Sequence, residues 1–164
     1  MHRTRLFFVV VSLFCAHAAL ALDCQNFPDY LGQNTAFETD VAAWVNYQRA
    51  QAGLPALQPN TLLNAAAQKH AMNMACQHQM AHQLNGVGPG TRISNEGYTW
   101  FAYAENVAAG YESASSVVTG WMNSPGHRDN ILDAHAMSLS ETGVGAYRGP
   151  DGRIYYCQVF ARPQ

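Results

Sequence analysis

Apolar residues recur along the chain in two rhythms, helical up to about residue 124 and alternating after it. Phe37, Val41, Trp44 and Val45 stand three and four positions apart behind Thr35-Ala36-Phe37-Glu38, which has the form of a capping box, until Gly53 and Pro55 stop the pattern. This predicts a first amphipathic helix. From Asn60 onward Leu63, Ala67, His70, Ala71, Met74 and His78 fall on one face, with no Gly or Pro before Gly86, and predict a second. Asn85-Gly86-Val87-Gly88-Pro89-Gly90 is too rich in breakers for regular structure and reads as a loop with turns. Val117, Val118 and Trp121 mark a third helix after Ser113, which Ser124-Pro125-Gly126 ends.

The tail differs in kind. Thr142 to Tyr147 and Ile154 to Phe160 are β-rich runs joined by Gly149-Pro150-Asp151-Gly152, a hairpin signal. Apart from Gln158, the run from Ile154 to Phe160 is apolar on both alternations, so both faces of that strand must be covered. Helices on two sides of an antiparallel sheet follow, an α+β architecture.

The first residues carry a different message. Arg3 and Arg5, the apolar run from Leu6 to Phe14 and the small residues ending in Ala19-Leu20-Ala21 are the three parts of a secretory signal with an A-x-A cleavage site. The division expected is therefore signal peptide 1–21, an N-terminal extension 22–34 and one domain over 35–164, in a secreted, extracellular product. The run is short and interrupted for a membrane span, and no second long apolar stretch follows. Without Arg3 and Arg5 the chain keeps 7 basic residues against 11 acidic ones, and Lys69 is the only lysine. A nucleic-acid partner needs a basic stripe to displace counterions, and none exists here.

Cys15 falls within the signal, which leaves Cys24, Cys76 and Cys157. Export favours disulfides, and three thiols allow one bridge with one left over. The sequence does not choose the pair. Cys157, inside an apolar run, also reads as a small buried hydrophobe.

Three segments, in order, resemble a known family: Asn46 to Leu57, Ala104-Glu105-Asn106-Val107-Ala108-Ala109-Gly110, and Gly120-Trp121-Met122-Asn123-Ser124-Pro125-Gly126-His127-Arg128-Asp129-Asn130-Ile131-Leu132. They are similar to the CAP superfamily, or SCP domain, of cysteine-rich secretory and pathogenesis-related class 1 proteins, in its short bacterial or fungal form. The resemblance runs from about Thr35 to Phe160. It implies an α-β-α sandwich with a central antiparallel sheet and a cleft where two histidines and two acids can hold a divalent cation. His82 matches the first family histidine and Glu105 the first acid. Ser124 stands where the second acid is usual, and Tyr155 where the second histidine is usual. His127 is the residue placed to fill the cleft instead.

Two imidazoles and a carboxylate from His82, Glu105 and His127 would suit zinc, with water in the fourth place. Each also has a structural reading: His127 bonding its own turn, Glu105 pairing with an arginine, His70 as a hydrogen-bonded core residue. His78 and His82 stand four apart as in a metalloprotease helix, but Gln79 occupies the place of the general base. Met72, Met74 and Met80 read as core filler. No G-x-S-x-G elbow is present. Tyr98, Trp100, Phe101, Tyr103 and Tyr111 could line a groove near Glu105 or belong to the core. The balance favours a monomeric, non-enzymatic scaffold that binds sterol, another lipid or an extracellular protein. The alternative is a zinc-dependent, protease-like hydrolase in which Glu105 is catalytic.

Overall fold

A computed structural model describes Cys24 and residues 35–164. The expected signal peptide and the extension apart from Cys24 lie outside the described residues, as does the side chain of Thr35 in the expected capping box. Helix α1 (Thr35–Gln51) buries Val41 and Val45. Its Glu38 carboxylate accepts from Ala146 N at 3.2 Å and from Gln68 Nε2 at 3.1 Å, so it ties the helix to the sheet. Arg49, buried in the interior, donates to the carbonyls of Pro55, Ile131 and Leu139 and pins three loop ends to α1.

The two-residue strand β1 (Gln58–Pro59) precedes α2 (Thr61–Gln77), which the Asn60 side chain caps by accepting from Leu62 N and Leu63 N. The second helix ends earlier than its apolar period suggests. His78 takes a left-handed φ of 52° and Gln79 N reaches back to Met74 O, which closes the last turn. His78 is thus an exposed cap outside the buried face, and His78 and His82 share no helix. Met74 is buried, whereas Met80 is exposed and fills no core.

The breaker-rich stretch does not stay irregular: Pro89 occupies the first turn of a short helix, α3 (Pro89–Asn95). Strand β2 (Trp100–Ala109) follows, then α4 (Ala114–Asn123), capped by Ser113 and Ser116. Ser124 ends α4, and the same residue with Pro125 at N1 starts α5 (Pro125–Ile131), so the predicted stop is also a start. The expected hairpin closes the fold as β3 (Glu141–Arg148) and β4 (Ile154–Pro163).

The strand order is β1-β3-β4-β2, with β3, β4 and β2 antiparallel and β1 parallel to β3. The sheet is therefore antiparallel in its body and mixed at one edge. Strand β4 lies inside it and divides its side chains as the double alternation requires. Tyr156 and Phe160 join Val41, Val117 and Trp121 under α1 and α4, while Tyr155, Cys157 and Val159 join Leu63, Met74 and Ile93 under α2 and α3. This is the α-β-α sandwich.

Helix α2 sits directly on β3. A Cβ at Gly143 would lie 2.1 Å from the Leu63 carbonyl carbon, and one at Gly145 2.4 Å from that of Ala67. The glycines of β3 and the alanines of α2 are what allow backbone to approach backbone. Cys24 and Cys76 form the disulfide, and Cys157 is free and buried. Among the described residues, no helix is long and apolar enough to cross a membrane.

Candidate functional site

Strand β2 forms one edge of the sheet, and successive side chains leave it on opposite faces. Glu105 turns to the α2 and α3 layer and Asn106 to the α4 and α5 layer. Each organises one half of the candidate site at this edge.

On the first face Glu105 is buried, and both carboxylate oxygens are committed. Oε1 accepts from His82 Nδ1 at 2.9 Å. Oε2 is paired with Arg92 Nη2 and also receives the Cys157 thiol at 3.4 Å. Burial pushes the carboxyl pKa up, but the His82 hydrogen bond and the Arg92 charge outweigh it and hold the group below its ordinary value. Arg92 Nη1 donates to the carbonyls of His82 and Val87, each at 3.0 Å, so one guanidinium fastens both the acid and the loop that carries His82. Burial, and the nearby Glu105 charge, push the Cys157 thiol up, which keeps it protonated and inert. His70 lies behind this group as the expected core residue. Its Nε2 is 2.7 Å from Ala81 O, and burial followed by the Arg92 charge lowers its pKa to about 4.

On the second face the links are neutral. Asn106 Nδ2 donates to His127 O at 3.1 Å, and Asn130 Nδ2 donates to Asn106 Oδ1 at 2.9 Å and to Glu105 O at 3.2 Å. Trp121, buried, donates Nε1 to Val107 O at 3.2 Å. His127 Nδ1 lies 2.9 Å from Ser124 Oγ. Its pKa is lowered first by burial and then by repulsion from His82. The two imidazoles thus lie near enough for a charge on His82 to bear on His127.

His82 and Glu105 are thus in direct contact, and Asn106 and Asn130 tie His127 to the same strand, but the three are not free donors. With Nδ1 of each ring bonded to Glu105 or Ser124, the Nε2 atoms remain, while Glu105 is spent on His82, Arg92 and Cys157. Among the described residues, no group of three or more His, Cys, Asp or Glu side chains could hold a metal ion. A tetrahedral zinc taking all three side chains requires Glu105 to release Arg92. Ser124, where the resembled family usually has an acid, orients His127. Tyr155, where the resembled family usually has a histidine, is buried in β4 and donates to Asp151 Oδ2 at 2.7 Å.

Arg92, Asn106 and Asn130 escaped the reading of the sequence. The two asparagines lie inside the family-like segments 104–110 and 120–132, which was a usable signal; Arg92 lies outside them. The aromatics divide: Tyr98 is buried, Tyr111 and Trp100 are half-buried, and Phe101 is exposed under the Arg162 guanidinium. Trp100 and Tyr103 meet edge to face at 4.6 Å beside α3. Further hollows lie among the described residues. One of about 570 Å³ lies behind the cleft against His70, Leu84 and Arg92. Another, about 410 Å³, runs between α1 and β3 along Ala42, Ala43, Pro59 and Val144.

Residues 43–160 match the family described as "Cysteine-rich secretory protein family" (CAP). The chain is 32% identical over 112 residues to "Uncharacterized protein YkwD" of Bacillus subtilis, a match covering 68% of this chain and 42% of that protein. It thus spans less than half the length of that relative. Among solved structures, an extracellular SCP-domain protein of Bacillus anthracis superposes with TM-score 0.71 at 26% identity, over 79% of this chain and 41% of the other. An outer surface protein of Borrelia burgdorferi superposes with TM-score 0.70 at 21% identity, over 77% of this chain and 92% of the other, and shares the fold.

Proposed function

The chain belongs to the cysteine-rich secretory protein (CAP) family, and on that premise we propose that it is a signal-bearing, exported monomer that binds and does not turn over its ligand. The observation that carries this reading is the commitment of Glu105. A carboxylate already neutralised by Arg92 and bonded to His82 holds the cleft in shape and is a poor free base or nucleophile. The partner is a sterol or another lipid, for which the groove along α1 offers Ala42, Ala43, Pro59 and Val144 beside the polar Asn46, Asn64 and Gln68, or an extracellular protein. A divalent cation, where bound, meets the Nε2 atoms of His82 and His127 first.

The secreted site of action is supported by the extracellular protein of Bacillus anthracis and the outer surface protein of Borrelia burgdorferi among the structural neighbours. The hydrolase reading keeps one observation, the orientation of His82 by Glu105, as in a carboxylate–imidazole pair.

The test uses the chain without residues 1–21. Cholesterol binding is expected to survive His82→Ala and His127→Ala, while calorimetric zinc uptake is expected to fall in both variants. Chelator-sensitive hydrolysis lost with Glu105→Gln overturns the binding reading.

A further inference from the structure

In a β-strand the N–H and C=O of one residue point to the same side. Gly110 N, just past β2, donates to Ile154 O, and the carbonyls of Glu105 and Val107 accept from Asn130 and Trp121 on the side away from β4. Odd-numbered residues of β2 therefore direct their N–H and C=O groups to the free edge, on the strand whose Glu105 and Asn106 side chains bond His82 and the His127 carbonyl. Their carbonyls there are consumed. The N–H groups of Glu105 and Val107 meet no acceptor among the described residues. This stretch of the edge is a donor without acceptors.

Such an edge refuses an added strand, because an incoming strand needs acceptors for its own N–H groups. It suits a group that only accepts. Glu105 does not repel an anion as a bare charge would, since Arg92 neutralises it within the fold, and the imidazoles supply nitrogen on either side. We propose that the cleft is a carboxylate receptor, in which the edge N–H groups of Glu105 and Val107 and the imidazole of His127 receive the carboxylate end of a peptide or of a fatty acid. This rests on the reading of the cleft as a binding site and names its ligand class.

The test is an amide-resolved NMR titration of the ¹⁵N-labelled chain without residues 1–21. The probes are acetate, glycylglycine and octanoate, each against its carboxamide. The expected result is a saturable shift of the Glu105 and Val107 amides with the carboxylates and none with the carboxamides, weakened at least threefold in His127→Ala. A tighter fit for glycylglycine assigns a peptide terminus, and a tighter fit for octanoate a fatty acid. Equal shifts with carboxamides, or no shift, overturn the proposal. So does hydrogen exchange at both amides as slow as at the paired Asn106 amide, because it would show them already bonded. Ser124→Ala, which keeps the imidazole, serves as a second variant should His127→Ala fail to fold, and is expected to weaken acetate binding in the same direction. Failure with acetate while zinc and cholesterol binding persist sinks this inference alone; failure of all three sinks the wider reading.

Discussion

The two halves of the cleft hold equivalent imidazoles by opposite means. His82 is held by charge: an acid and a guanidinium buried together, with a second histidine behind them. His127 is held by neutral groups, a serine hydroxyl on its ring and an amide ladder on its backbone. A buried charge pair loses heavily when one member is removed, because the other stays desolvated. Neutral hydrogen bonds lose less. The His82 half must therefore fail first under mutation and acid, and the His127 half must tolerate more.

The largest effect is expected from Arg92→Met, which strands the Glu105 carboxylate and releases the His82 and Val87 carbonyls. A loss of about 3–5 kcal/mol in urea unfolding is expected, as for breaking other buried pairs. A loss below about 1 kcal/mol, the range of surface pairs, would show the pair to be solvated.

Acid comes next. His70 is kept neutral, with a folded pKa of about 4 against an ordinary 6.5, so the unfolded chain takes up a proton first. Stability is expected to fall as pH drops from about 6.5 to about 4, by on the order of 3 kcal/mol. Glu105 acts later and in the same direction: its depressed pKa stabilises the fold above the ordinary carboxylate range, and this is lost as pH falls through the lower folded value. Urea midpoints measured against pH check both, and His70→Gln should flatten the upper part of the curve.

On the neutral face, Asn130→Ala removes the donor from Asn106 Oδ1 and Glu105 O and is expected to cost about 1–3 kcal/mol. Ser124→Ala is expected to cost about 1 kcal/mol or less, with a change of His127 tautomer visible in ring ¹⁵N shifts. If Asn130→Ala proves more damaging than Arg92→Met, the contrast between the halves is reversed.

Parts of this arrangement were legible before the structure and parts were not, for physical reasons. Leu63, Ala67 and Met74 announce α2 because a helix against a sheet must keep its apolar period, and the run from Ile154 to Phe160 announces a strand covered on both faces. Strand β2 hides because its edge position mixes buried and exposed residues without clean alternation. Helix α5 hides because Pro125 breaks one helix and opens another. His82, Glu105 and His127 were reachable through the family resemblance alone, since nothing in their spacing brings them together. Arg92 was invisible: its importance comes from contacts with Glu105 and with the His82 carbonyl, which local pattern does not encode.

The meeting of the two imidazoles over the edge of β2 is tested most directly by NMR titration of the His127 ring in the wild type and in His82→Ala. In the wild type the His127 pKa should lie below the ordinary 6.5, and removing the His82 ring should move it upward. A His127 pKa that stays where it was, or falls, would place the two rings in separate environments and contradict the shared cleft.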